Sequence, residues 1–473
     1  MGGIQTGTKC LDRKIKEVCL MEEKKDETAV FQNNSVIQSV LIMAIPTIIS
    51  QMITVLYNYA DTIFVGQLND PKQVAAIALA FPLTIIITAL GNLWGIGGGS
   101  TISRALGKGD MQEAKRAAAL SFYGAVILTG SCCVMALVMG DTFDYMLGAS
   151  SADLDFTDRY IFWMFIIGAI PSVLSQVLAH FARSLGFAKA AGIGLTLGGV
   201  LNIILDPIFI FPFGFNLGVM GAAVATMLSN VAALVFFSVL FYRHRGQWSV
   251  SFRMMDALPQ KQIVVQVLSI GLPSALISLL SAVSNGVLNN LISKHGEVAV
   301  AAVGIAKKMD ILPANIAVGI TQGSLPLLAF SFGAGKKERT KKLLSVTGIL
   351  AFATTTVVVV FLEIFAAPVS RLFIKDTETV QYATQFIRRL CLSVPLYAVT
   401  ITINSFFQAV NKPKHAFAIS VIRKGIFDLP LMVLFDSLFV VTSIIWVQPI
   451  MDLVAVVVSL IILRRFFQKK AWE

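Results

Sequence analysis

Along nearly the whole chain, apolar residues gather into runs of twenty or more, broken by short polar segments. Neither strand-like alternation nor a one-sided helical stripe dominates. A bilayer-crossing helix needs about 20 mainly apolar residues. The pattern predicts twelve such helices, near 36–63, 73–97, 115–139, 160–183, 188–211, 218–241, 263–292, 298–323, 342–367, 383–410, 414–436 and 438–463. The longest internal polar segments, near 140–159 and 243–262, are too short to be domains. Composition agrees: 56% of the 473 residues are hydrophobic and 14% charged, against about 25% charged in a soluble chain. That excludes soluble, disordered, collagen-like and disulfide-stapled classes. It predicts an all-α integral membrane protein.

Charge sets the direction of the helices. Lys and Arg exceed Asp and Glu by 38 to 27, a net +11. In a membrane protein this excess belongs to loops facing an anionic cytoplasmic surface rather than to nucleic acid. With both termini cytosolic, 27 basic residues fall inside and five outside (Lys72, Arg159, Lys294, Arg371, Lys375). Such asymmetry fixes the orientation. The segment with Asp141, Asp144, Asp153, Asp155 and Asp158 then faces outward. The polar first residues lack the apolar core of a secretory signal. The predicted organisation is a cytosolic tail over 1–35, mobile at its start, six helices over 36–242, a cytosolic linker over 243–262, six helices over 263–463, and a tail over 464–473. A multi-pass protein of the cell membrane follows. The five cysteines (Cys10, Cys19, Cys132, Cys133, Cys391) show neither zinc nor redox spacing, so no disulfide or metal cluster is expected.

The chain also repeats itself. Val40-Leu41 and Pro46 recur as Val267-Leu268 and Pro273, and Ala75-Ala76-Ile77 as Ala301-Ala302-Val303. Gly95, Gly99 and Ser100 recur as Gly319, Gly323 and Ser324. Leu106-Gly107-Lys108-Gly109 recurs as Phe332-Gly333-Ala334-Gly335, and Phe181 and Lys189 as Phe406 and Lys414. The offsets stay between 224 and 227. Two six-helix halves in the same orientation are related by an axis along the membrane normal, with a cleft between them. That is the plan of a secondary transporter. A channel or sensor would gather its symmetry differently. No cluster of catalytic residues suggests an enzyme, and no phosphate loop suggests an ATP-driven pump.

Several repeated or ordered motifs resemble the multidrug and toxic compound extrusion (MATE) family: Asn58-Tyr59-Ala60-Asp61-Thr62-Ile63-Phe64-Val65-Gly66, the Gly107-x-Gly109 turn, Arg183-Ser184-Leu185-Gly186, Asn202-x-x-Leu205-Asp206-Pro207 and Gly218-x-x-Gly221-Ala222-Ala223. The resemblance covers about residues 36–465 and is closest to bacterial multidrug members. It implies two six-helix bundles, acting as a monomer, that export organic cations in exchange for Na⁺ or H⁺, with no other cofactor. It places ion-coupling acids at the positions of Asp61 and Asp206. The same superfamily includes flippases for lipid-linked saccharides, the alternative reading. Several arginines in the central cleft would mark a flippase, and the N-terminal half carries little arginine inside.

Charge within a bilayer is costly and marks function by default. By residue count, Asp61, Asn202, Asp206 and Thr226 share one level in the outer part of the first half. Asn202 and Asp206 stand at i and i+4, and Asn58 and Asp61 at i and i+3. Pro207 donates no N–H, which frees a carbonyl one turn earlier. These groups offer oxygen ligands to a hard cation such as Na⁺. The carboxylates could equally carry protons. In the second half, Lys307 and Asp310 are expected to pair, and Arg423, Lys424 and Asp428 to form a second polar cluster. Glu363, Asp436 and Asp452 are expected near helix ends, in structural roles. His180 is expected to pack between helices. Tyr57 and Trp94 are candidates for the wall that receives substrate.

Overall fold

The computed structural model describes residues 29–32, 35–68, 70–150, 153–258, 260–438 and 441–468. Cys10, Cys19 and most of the expected tails lie outside these residues. Eleven helices among the described residues are long and apolar enough to cross a membrane. They are α1 (Val36–Gly66), α2 (Pro71–Lys108), α3 (Met111–Met139), α4 (Leu154–Ser184), α5 (Ala188–Ile210), α6 (Val219–Arg243), α7 (Lys261–Ser293), α8 (Glu297–Gly333), α9 (Lys337–Phe373), α10 (Thr377–Ala409) and α12 (Ser443–Gln468). Helix α11 spans 413–438. It is apolar but carries Arg423, Lys424 and Asp428, and a π-turn at Ile422–Ile426 interrupts it. Charge and irregular backbone inside a span are tolerated where protein rather than lipid surrounds them. Here the three charged side chains are buried.

Local chemistry sets the helix ends. Ser35, Asp70, Asp110 and Asp376 cap α1, α2, α3 and α10, each accepting a backbone N–H from the first turn. Gly109 (φ 79°) closes α2 in the left-handed conformation that an L side chain resists, and its repeat partner Gly335 (φ 71°) does the same after α8. The expected turn between helices is therefore present in both halves. Helices α2 and α8 run about ten residues past the apolar stretches that predict them. Every residue from Trp94 to Leu106 is buried, including Ser100, Thr101, Ser103 and Arg104.

Helices α1–α6 pack among themselves, as do α7–α12, and the seam between the halves runs along α1 against α8 and α2 against α7. Large apolar side chains stay exposed on the periphery, such as Ile127 and Val138 on α3 and Ile349 and Val357 on α9. In a bilayer those faces meet lipid. At the end rich in Lys and Arg, here the basic end, backbone meets backbone. A Cβ on Gly107 would fall on the carbonyl of Phe330, and a Cβ on Gly333 on that of Arg104. The short helix Ala29–Gln32 lies within the expected tail and is tied down there. Phe31 is buried and stacks on Phe330 with centroids 4.7 Å apart, and Ser39 Oγ donates to the Val30 carbonyl at 3.0 Å. The expected linker holds a 3₁₀ turn at Met254–Ala257, and Tyr123 of α3 donates to the Phe252 carbonyl at 2.9 Å.

Candidate functional site

Helices α1, α5 and α6 bring four of the expected groups to one point in the first half. Spacing of i and i+4 puts Asn202 and Asp206 on one face of α5, and Asn202 Nδ2 donates to Asp206 Oδ1 at 3.2 Å. The same amide reaches Thr226 Oγ1 of α6 at 3.2 Å. Asp61 of α1 completes the group, close enough to Asp206 and Asn202 to interact with both electrostatically. Asn202 and Asp206 are 2% and 0% exposed, so this is an interior site. Its free valences are all oxygen: Asp61 Oδ1, Asp206 Oδ2 and Asn202 Oδ1 are buried without a hydrogen-bond partner.

No basic residue pairs with either carboxyl among the described residues. Two facing carboxylates in a low-dielectric interior repel, and a buried unpaired charge is strongly unfavourable. A cation between them, or a proton on one, removes the repulsion. The donor set fits Na⁺, which is hard and takes carboxylate, amide and hydroxyl oxygens. It fits a proton equally well.

Other expected members fall differently. Asn58 does not join the group: it is exposed, and its amide donates to the Thr54 carbonyl of its own helix at 2.8 Å. An i, i+3 pair on an α-helix is still offset by about 60°, enough to turn Asn58 away. Tyr57 is half-buried against Gly199 of α5 and close to Asp61. Trp94 is 8% exposed and packs on Gly124 of α3, inside the first half rather than on a wall between halves. The sequence reading missed Tyr160 of α4, a buried ring within electrostatic range of Asp61 and Asp206. It also missed Asn230, which donates to the Thr226 carbonyl at 3.0 Å. Its position four residues after Thr226 was the available signal.

The second half holds a different network. Arg423 Nε donates to Asp452 Oδ1 at 2.7 Å, and its guanidinium lies 4.1 Å from the Tyr397 ring centroid. Lys424 Nζ is 3.5 Å from Asp428 Oδ2, which also accepts from Ser284 Oγ at 2.5 Å. The expected direct pair of Lys307 and Asp310 is replaced by a bridge. Gln448 Oε1 accepts from Lys307 at 2.7 Å, while Gln448 Nε2 donates to Asp310 at 3.1 Å. An amide presents both polarities and so separates the pair. Asp452, read as a structural residue near a helix end, is 1% exposed and inside this network. Glu363 and Asp436 do stand at the rim, facing Arg388 and the Lys294–His295 pair. Three cations and three carboxylates balance, so the second half neutralises itself while the first does not.

Near the basic end, Arg104 and Arg183 are buried at 2% and 3% exposure, which corrects the expectation of little interior arginine in the first half. Arg104 Nη1 donates to the Ala409 carbonyl at 3.5 Å, across the seam. Arg183 Nη1 lies 3.1 Å from His180 Nδ1. His180 packs against Gly95 and, with Gln322 and Ser100, lines a slot in the seam.

Comparison with known proteins agrees with this architecture. The MatE family profile matches residues 46–208 and again 273–434, one match per half. The multidrug export protein MepA of Staphylococcus saprophyticus is 31% identical over 439 residues, covering 93% of this chain and 96% of that one. MepA of Staphylococcus aureus strain MSSA476 is 31% identical over 428 residues, 89% and 92% of the two chains. Among solved structures, an outward-facing conformation of a multidrug resistance MATE family transporter of the MOP superfamily superposes with a TM-score of 0.87, at 26% identity over 93% of this chain and 98% of the other. A MOP superfamily transporter from Pyrococcus furiosus, described as having a binding pocket of reverse polarity, gives 0.86 with the same identity and coverage. Two matched halves, full-length relatives and a common fold lead to one statement: this chain belongs to the MATE family.

Proposed function

We propose that this protein is a secondary active multidrug exporter of the cell membrane, moving organic, mainly cationic amphipathic compounds outward in exchange for Na⁺ or H⁺. The observation that carries the coupling is the pair Asp61–Asp206, with Asn202 and Thr226 beside it and no basic partner among the described residues. Relatives named multidrug export proteins support the substrate class. In this reading a cation or proton enters the first half from outside, cancels the carboxylate repulsion and repacks α1, α5 and α6. Coupling requires that ion and drug favour different conformations of the two halves. Alternating access follows, with both termini cytosolic and one chain as the working unit.

The test is export of a fluorescent organic cation from inverted vesicles under separately imposed Na⁺ and H⁺ gradients. The effective gradient names the ion. Asp206→Asn should lower gradient-driven export by about 100-fold or more, as loss of an essential group does, with normal membrane insertion. Export at the wild-type rate by that variant removes Asp206 from coupling. A flippase for a lipid-linked saccharide is the second reading, and buried Arg104 and Arg183 are the observation in its favour. No export of several cations under either gradient would turn the assignment toward it.

A further inference from the structure

The last turns of α1 face two ways. Residues two apart on an α-helix point about 200° apart around the axis. Asp61 looks into the first half toward Asp206 and Asn202. Tyr59 looks across the seam. Its hydroxyl donates to the backbone carbonyl of Lys308 on α8 at 2.5 Å, and the Lys308 ammonium stands 5.8 Å from the centre of its ring. The Asp310 carboxyl is within electrostatic range of the phenol. Lys308 is flanked by Lys307 and Asp310, both held by Gln448. One turn of helix therefore joins the unneutralised site of the first half to the self-neutralised network of the second.

We infer that Tyr59 is a positioning residue for transport: its clasp on Lys308 holds the seam between the halves at the end opposite the basic one and competes with occupancy of the Asp61–Asp206 site. This inference rests on the ion-coupled reading above. The direction follows from electrostatics. Repulsion between the two carboxylates presses the α1 turn away from α5 and toward α8, which favours the clasp. A cation or proton at the site removes that pressure, and the turn relaxes toward α5. Linkage is reciprocal: if occupancy weakens the clasp, loss of the clasp must strengthen occupancy.

The test uses the full chain with its cysteines replaced and spin labels at Gly66→Cys and Glu297→Cys, at the facing ends of α1 and α8. The distance distribution is followed while Na⁺ is titrated and, separately, while pH is lowered. In the parent chain the label pair should move apart saturably with the coupling ion. Tyr59→Phe keeps the ring and loses the hydroxyl. It should reach the same midpoint at a roughly three- to tenfold lower ion activity, the equivalent of one hydrogen bond. It should also populate the longer distance before any ion is added. A gain in ion affinity is not what general damage produces. Thr62→Val removes a hydroxyl that bonds only the Asn58 carbonyl of its own helix, and it should behave like the parent. An unchanged or weaker midpoint in Tyr59→Phe, alongside a responsive parent, overturns the clasp alone. A parent that answers neither ion overturns the ion-coupled reading and the clasp with it.

Discussion

A single residue type, aspartate, does opposite things in the two halves. Asp61 and Asp206 lie together with no basic partner among the described residues, while Asp310, Asp428 and Asp452 each sit beside a cation or an amide. Sequence position alone made Asp206 legible, because an acid beside Pro207 and one turn after Asn202 declares a shared face. It misplaced Asp452, since a carboxylate near a helix end looks the same whether the rim or the interior receives it. The energetic difference is measurable. Asp452→Asn leaves Arg423 buried without a counter-charge and should lower stability by about 3–5 kcal/mol. The double variant Arg423→Met/Asp452→Leu removes both charges and should recover most of that loss. Thermal unfolding of purified protein in one detergent compares them. A double variant no more stable than Asp452→Asn would mean that the pair serves more than charge balance.

At the scale of elements, hydropathy located the twelve helices and erred at the ends of several. Helix α2 was expected to stop near residue 97, where Ser, Thr and Arg appear, yet those residues are buried against other helices and the left-handed Gly109 ends the helix instead. A membrane scale reads polar residues as loop. A packed helix interface reads them as hydrogen-bond partners, as when Ser103 of α2 donates to the Ser184 carbonyl of α4 at 3.1 Å. Burial outside the spans has its own signature in the short helix Asp141–Met146. Asp144 is 2% exposed, and burial, with Asp158 and Asp141 near it, pushes its carboxyl up to about 6. The folded state therefore holds this proton more tightly than the unfolded chain, whose carboxyl titrates about two units lower. The segment gains stability as pH falls through about 6, and the gain ends below the unfolded value. Amide exchange at Ala149, whose N–H is held by the Asp144 carbonyl at 3.0 Å, should slow between pH 7 and pH 5 after correction for intrinsic rates. Asp144→Asn should slow it at pH 7 and flatten the dependence. An unchanged pH profile in that variant would assign the effect to another group.

For the molecule as a whole, the internal repeat announced two like-oriented halves, and the family matches fall on the same two segments. What the repeat could not disclose is which helices meet across the middle, because a periodic sequence is silent about the partner of each face. The meeting points are small residues, which let backbones approach closely. Gly107→Ala should keep the seam from closing at the basic end. On the cysteine-free chain, a thiol at Ser100→Cys, where Ser100 Oγ donates to the Gln408 carbonyl across the seam at 3.1 Å, should then react with an impermeant reagent from that side at least about tenfold faster, a population shift of about 1.4 kcal/mol. Equal rates would show that the seam tolerates the methyl group.

The two glycines Gly107 and Gly333 each lie on the other's helix, on carbonyls of Phe330 and Arg104. Neither contact can form while the other is blocked, since both depend on the same approach of α2 to α8. The basic end should consequently snap shut as one unit, with no half-closed intermediate. Alanine at both positions should then impair closure little more than alanine at either.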